Sequence, residues 1–96
     1  MLTGKQKRYL RSLAHHLDPI FQVGKGGVNQ NMIKQISDAL EARELFKVSV
    51  LQNCGEDKTV IAEQLAQGTG ADIVQIIGNT IVLYKESMEN KQITLP

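Results

Sequence analysis

The sequence predicts an α/β fold: a four-stranded mixed sheet packed against three helices, in the order α-β-α-β-α-β-β. Three observations carry this. Four short runs rich in Ile, Val, Leu and Phe are interleaved with three stretches whose apolar residues recur at helical spacing. Two of the helical stretches lie between strands, so they act as crossovers joining strands that run parallel. The last two strands are separated only by Gly78-Asn79, a two-residue hairpin signal that adds an antiparallel strand.

Each element has a local reason. Thr3 and Gln6 have the spacing of a capping box and open a helix expected to reach about Leu17. Leu10, Leu13, Ala14 and Leu17 form its apolar stripe, while Arg8, Arg11 and His15 cluster opposite, with Lys7 at their flank. Asp18-Pro19 stops it, because proline pushes the preceding residue out of the α region. Ile20 to Val23 reads as a short strand. Asn29 is a natural N-cap for a second helix through about Glu44, with Met32, Ile33, Ile36, Ala39 and Leu40 on its inner face. Phe46 to Leu51 alternates as a second strand. Asn53 to Lys58 is a polar turn. A third helix over about Thr59–Gln67 ends at Gly68-Thr69-Gly70. Ile73 to Ile77 is apolar enough to sit centrally in a sheet, and Thr80 to Tyr84 returns beside it. Residues 86–96 are polar and expected to fray or dock loosely.

The chain has 96 residues, which suits one domain spanning 1–96 with its core over about 2–85. Apolar residues are 42% and charged residues 22%, an ordinary globular balance. No apolar run approaches the ~20 residues of a membrane span, and the N-terminus lacks signal-peptide character, so a cytoplasmic location is expected. Cys54 is the only cysteine, which leaves no internal disulfide. The net charge of +1 conceals an asymmetry. Residues 1–34 carry six basic side chains against Asp18 alone, and residues 35–96 carry five against nine acidic ones. The basic end therefore calls for a polyanionic partner.

Gly24-Lys25-Gly26-Gly27 is the most informative segment. It joins a strand to a helix, frees the backbone of Cβ atoms, and adds a mobile cation beside the orphan N–H donors of a helix start. Those properties suit a phosphate. A Walker A loop does not fit, and a dinucleotide fingerprint lacks both its third glycine and its acidic partner. A tight turn without a ligand remains open, as does a G-x-x-G clamp on a nucleic-acid backbone. The basic first helix, with Lys5, Lys7, Arg8 and Arg11, favours the clamp, since polyanion affinity sums over several phosphate contacts. Aromatic residues are few, so backbone and shape readout is expected over stacking; Tyr9 on the first helix is one stacking candidate. Adjacent His15 and His16 project about 100° apart and cannot share a metal. No catalytic constellation can be assembled, so no enzyme, cofactor or metal site is predicted.

Taken together, Leu2-Thr3, Gln6, Leu10-Arg11, Ala14-His15, Leu17, Pro19, Val23-Gly24-Lys25 and Gly27-Val28 closely resemble the CRM domain (chloroplast RNA splicing and ribosome maturation). Residues 39–48 and the hairpin 77–85 match its second helix and strand and its closing hairpin. The whole is similar to the stand-alone bacterial YhbY-type proteins. The resemblance implies a fold similar to the C-terminal domain of translation initiation factor three. It also implies binding to ribosomal RNA of large-subunit precursors during assembly, without catalysis. Gly24, Lys25 and Gly27 would be the G-x-x-G loop, extended by the basic helix. Gly26, a second consecutive glycine, is atypical and should loosen the free loop. A monomer is expected. The rival readings are a module that docks onto another protein through its acidic helices, and a small phosphate- or nucleotide-binding protein.

Overall fold

A computed structural model describes all 96 residues. Helix α1 (Gly4–Ala14) leads into strand β1 (Pro19–Val23), helix α2 (Gln30–Arg43) and strand β2 (Leu45–Val50). A single 3₁₀ turn, Gln52–Cys54, precedes helix α3 (Lys58–Thr69), strand β3 (Asp72–Ile77) and strand β4 (Thr80–Tyr84). The capping box is present: the Gln6 N–H donates to Thr3 Oγ1 and the Thr3 N–H to Gln6 Oε1, at 3.1 and 3.0 Å. Asn29 caps α2, accepting the Met32 N–H at 2.8 Å.

The sheet has the order β1-β2-β4-β3. β1 and β2 are parallel, and β4 is antiparallel to both β2 and β3. β3 is thus an edge strand, not a central one. The Gly78-Asn79 turn forces β4 beside β3, and β4 fills the slot next to β2. Ile81, Val82, Leu83 and Tyr84 are all buried because β4 is the strand covered on both faces. β3 reads as continuously apolar because a bulge between Ile73 and Gln75 shifts its alternation.

The helices lie on opposite faces. α2 and α3 cover one, where Ile36, Leu40, Ile61 and Leu65 meet Val23, Phe46, Val48, Ile81 and Leu83. α1 covers part of the other, where Leu10 and Ala14 meet Leu45, Val74, Val82 and Tyr84. α1 stops at Ala14 instead of Leu17, because the Leu17 N–H closes back onto the Ala14 carbonyl at 2.9 Å. Leu13 and Leu17 consequently lie half-exposed beside Ile20, at the end of the sheet where β1 and β2 begin. α3 runs on through Gly68 to Thr69, and Gly70 caps it at φ +79°. Cys54 is buried in the α2–α3 core, and Val60 is exposed.

The C-terminal segment, expected from its polarity to fray or dock loosely, is docked and tied down by hydrogen bonds. Glu44 ends α2 at φ +66° with its side chain fully buried. Its carboxylate accepts the N–H groups of Ser87, Gln92 and Ile93 at 2.8, 2.6 and 2.8 Å. Glu41 accepts the Ser87 hydroxyl and the N–H groups of Met88 and Glu89 at 2.6, 2.9 and 3.0 Å. Two carboxylates thereby replace the sheet or helix partners this stretch of backbone lacks. The Ser87 hydroxyl, followed by the two amides, holds the Glu41 carboxyl down at about 2. Burial pushes Glu44 up, but the three amides and the charge of Lys91 outweigh it and leave the group below its usual value.

Candidate nucleic-acid interface

The glycine turn sits where β1 ends. The Gly27 N–H donates to the Gly24 carbonyl at 3.1 Å, closing a four-residue turn with Lys25 and Gly26 at its corners. Gly26 has φ +94° and Gly27 φ +67°. A positive φ at the third position is the signature of a type II turn and explains the extra glycine conformationally. One hydrogen bond closes the turn, and Gly26 supplies the positive φ that this closure needs. A Cβ on Gly26 would meet nothing within 4 Å, so the turn's outer surface is open to a ligand.

The turn divides its donors. The Gly27 N–H is committed internally, and the Met32 N–H is taken by the Asn29 cap. The N–H groups of Gly26, Gln30 and Asn31 have no partner in the protein. Glu56 shares a small cleft with Gly26, Gly27 and Gly55 on the α3 side. Its neighbour Asp57 is occupied as the N-cap of α3, accepting the Thr59 N–H at 2.7 Å. A carboxylate on that side repels an anion, so the approach open to a phosphate is from the sheet side.

α1 does not touch this turn. It crosses the opposite face from α2 and α3, and its connection to β1 joins that strand at the end remote from Gly24. β1 has five residues, so about 15 Å of strand separates the two. Helix geometry sets the direction of each cation. With Leu10 and Ala14 inward, Arg11 falls about 80° to one side and Leu13 about 80° to the other. Leu13 faces Leu17, Ile20 and Leu45 at the start of the sheet. Arg11, with Lys7 on the same flank, therefore leans along the sheet toward the end that carries the turn. Lys7 and Arg11 are half-buried on this flank, whereas Lys5 and Arg8 point outward and are exposed. Tyr9 lies on the Leu13 side, away from these cations. His15 and His16 stack edge to face at 5.2 Å.

None of the cations on α1 or the turn has a carboxylate partner; the one ion pair in the molecule joins Lys91 to Glu86 at 2.8 Å. Lys58 and Lys85 are engaged with the carbonyls of Gly78 and Thr69, at 2.5 and 2.8 Å. The sequence did not single out Lys47, in the middle of β2, because strand alternation alone reads it as a solvent position. It too is unpaired, and it lies on the α1 side of the sheet.

The family model of the CRS1/YhbY (CRM) domain matches residues 2–85. The chain belongs to the CRM domain family. This CRM domain is 77% identical over its full length, and that of its relative, to Bacillus subtilis YqeI, named a probable RNA-binding protein. It is 41% identical to a Haemophilus influenzae RNA-binding protein, over 99% of this chain and 95% of the relative. The solution structure of a Staphylococcus aureus protein, described as a candidate RNA-binding protein, matches the CRM domain with a TM-score of 0.83. The identity is 67% and both chains are covered in full. No helix is long and apolar enough to cross a membrane.

Proposed function

We propose that this CRM domain binds RNA, and specifically ribosomal RNA in precursors of the large subunit, as a non-catalytic assembly factor. The observation that carries the reading is the set of unpaired cations, Lys5, Lys7, Arg8, Arg11 and Lys25, combined with a positive-φ glycine turn. Their charge is not neutralised within the molecule, so it is available to phosphates. The names of the relatives support RNA as the partner, without saying which RNA. In this reading the free N–H groups at Gly26 and at the start of α2 bind phosphate oxygens from the sheet side. Lys25 adds a charge-assisted bond, and α1 binds neighbouring phosphates. Gly24 and Gly27 set the shape of the turn.

The test is a filter-binding titration against large-subunit ribosomal RNA fragments at two salt concentrations, with wild type and Lys25→Ala. Lys25→Ala is expected to weaken binding by roughly 1–2 kcal/mol and to reduce the salt slope by about one phosphate contact. Salt-insensitive or absent RNA binding would reject the reading. The half-exposed Leu13, Leu17 and Ile20 favour a second reading, docking onto another protein. That reading predicts capture of a protein partner after ribonuclease treatment. Sequencing RNA crosslinked in cells checks the assignment to large-subunit precursors.

A further inference from the structure

We propose that the half of the sheet left uncovered by α1 is itself an RNA-contacting floor, anchored by Lys47 and suited to an unpaired strand. The inference rests on the RNA-binding reading and adds a surface to it. Strand register defines this floor. Lys47 pairs with Val82, which pairs with Gln75, forming one row across β2, β4 and β3. Gln22 pairs with Ser49, Ser49 with Thr80, and Thr80 with Ile77, forming the next row toward the glycine turn. Alternation puts both rows on the face that carries α1, since Val82 and Tyr84 pack against that helix while Ile81 and Leu83 face α2 and α3. α1 caps the strand-start half through Leu45, Val74, Val82 and Tyr84, so the first row runs along its edge, with Lys47 and Gln75 flanking the covered Val82, and the second row lies wholly beyond it.

The chemistry of the floor points to its occupant. A face meant for another helix would be apolar, and an ordinary solvated face carries charges of both signs. Here the exposed and half-exposed side chains are two amides, two hydroxyls, one ammonium and Ile77, which is 58% exposed at the sheet edge. No carboxylate stands among them. Amides and hydroxyls offer both donors and acceptors to base edges and to 2′-hydroxyls. Lys7 and Arg11 border the floor on the helix side, and Lys25 borders it at the end of β1. From Lys47 to the end of β2 is three residues, about 10 Å. Lys47 therefore bridges the gap between two cationic rims that do not meet. An unpaired strand could lie across the floor with phosphates on all three positions. A sheet face with no exposed aromatic engages splayed bases by hydrogen bonds, not by stacking.

The experiment compares full-length wild type, K47Q, K47R, Q75A, K25A and R11A. Each is titrated by fluorescence anisotropy with an unpaired oligoribonucleotide and with a perfect RNA duplex, at two salt concentrations. Melting curves confirm folding. K47Q is expected to weaken binding of the unpaired strand roughly five- to tenfold and to lower its salt slope by about one, with K47R restoring most of both. Q75A should weaken binding without changing the slope, because an amide displaces no counterions. If K25A and R11A lose affinity while K47Q and Q75A match wild type, RNA bypasses the sheet and this inference fails alone. If wild type binds neither RNA, the underlying reading fails. Duplex binding equal to that of the unpaired strand, or equally tight K47-dependent binding of polyglutamate, would also overturn the inference.

Discussion

Replacing Glu44 by glutamine should break one bond of the buried clamp that holds the C-terminal segment and weaken the other two. The Glu44 carboxylate is fully buried, and one oxygen accepts from Gln92 and Ile93 while the other accepts from Ser87. A glutamine can keep its oxygen toward Gln92 and Ile93, but its amide then faces the Ser87 N–H donor to donor. One charge-assisted bond is lost outright, at about 1.5–3 kcal/mol, and the other two fall from charged to neutral strength. The expected total is about 3 kcal/mol, a large fraction of the ~5–15 kcal/mol stability of a small domain. For a chain of this length that is a fall in Tm of roughly 12–24 °C. Thermal and urea unfolding measure the loss. Amide hydrogen exchange locates it, with protection falling at Ser87, Gln92 and Ile93 while the Glu41-bound amides of Met88 and Glu89 change less. A loss below about 0.5 kcal/mol, or unchanged exchange at those three amides, would refute the view that Glu44 anchors the tail.

Acid should release the same segment. Because the folded Glu41 carboxyl is held at about 2 against an ordinary 4.5, its contribution is complete above about pH 4.5 and is lost as pH falls toward 2. The amide resonances of Met88 and Glu89 should therefore move through that window, and resonances that stay fixed would contradict the assignment. At Gly27, φ +67° admits asparagine far more readily than valine. Gly27→Val should lower stability by about 1–2 kcal/mol, against a small change for Gly27→Asn; equal melting temperatures would remove the conformational argument. Glu56→Gln should tighten RNA binding roughly two- to fivefold at low salt, with the difference disappearing at high salt. An affinity independent of Glu56 would mean that phosphate passes far from the α3 side of the turn.

Where the decisive interaction is local, the sequence was informative. The caps at Thr3 and Asn29, the Gly78-Asn79 hairpin and the position of the glycine turn each depend on neighbours within four residues. The larger failures are long-range. Nothing near Glu44 announces that it will be buried, since its partners are backbone amides more than forty residues away. A helix end at positive φ ordinarily selects glycine; here glutamate takes the strained position, and its carboxylate clamp supplies the compensation. The position of β3 is not legible because an apolar run does not report position within a sheet, and the bulge lets an edge strand mimic a central one. The turn was found, but its internal Gly24–Gly27 bond was not legible. Lys47 is not legible in the sequence because its neighbourhood exists only where α1 leaves half the sheet uncovered.

A chain of nearly neutral charge can present a cationic surface only if its carboxylates are held elsewhere. Glu41 and Glu44 are consumed by the tail, Asp57 by the α3 cap and Glu86 by Lys91. Asp18 and Asp72 lie where β1 and β3 begin, as does the tail anchored at the end of α2. Lys47, Lys25 and the flank of Arg11 occupy or face the other half of the sheet. On the face that carries α1 the fold thus separates charge along the strands, with Glu56 kept to the α3 side of the turn, which would orient a polyanion as well as attract it. Docking of the C-terminal segment belongs to this arrangement. Amide dipoles offset two carboxylates that would otherwise project into solvent close to the end of α1, where their field would oppose RNA.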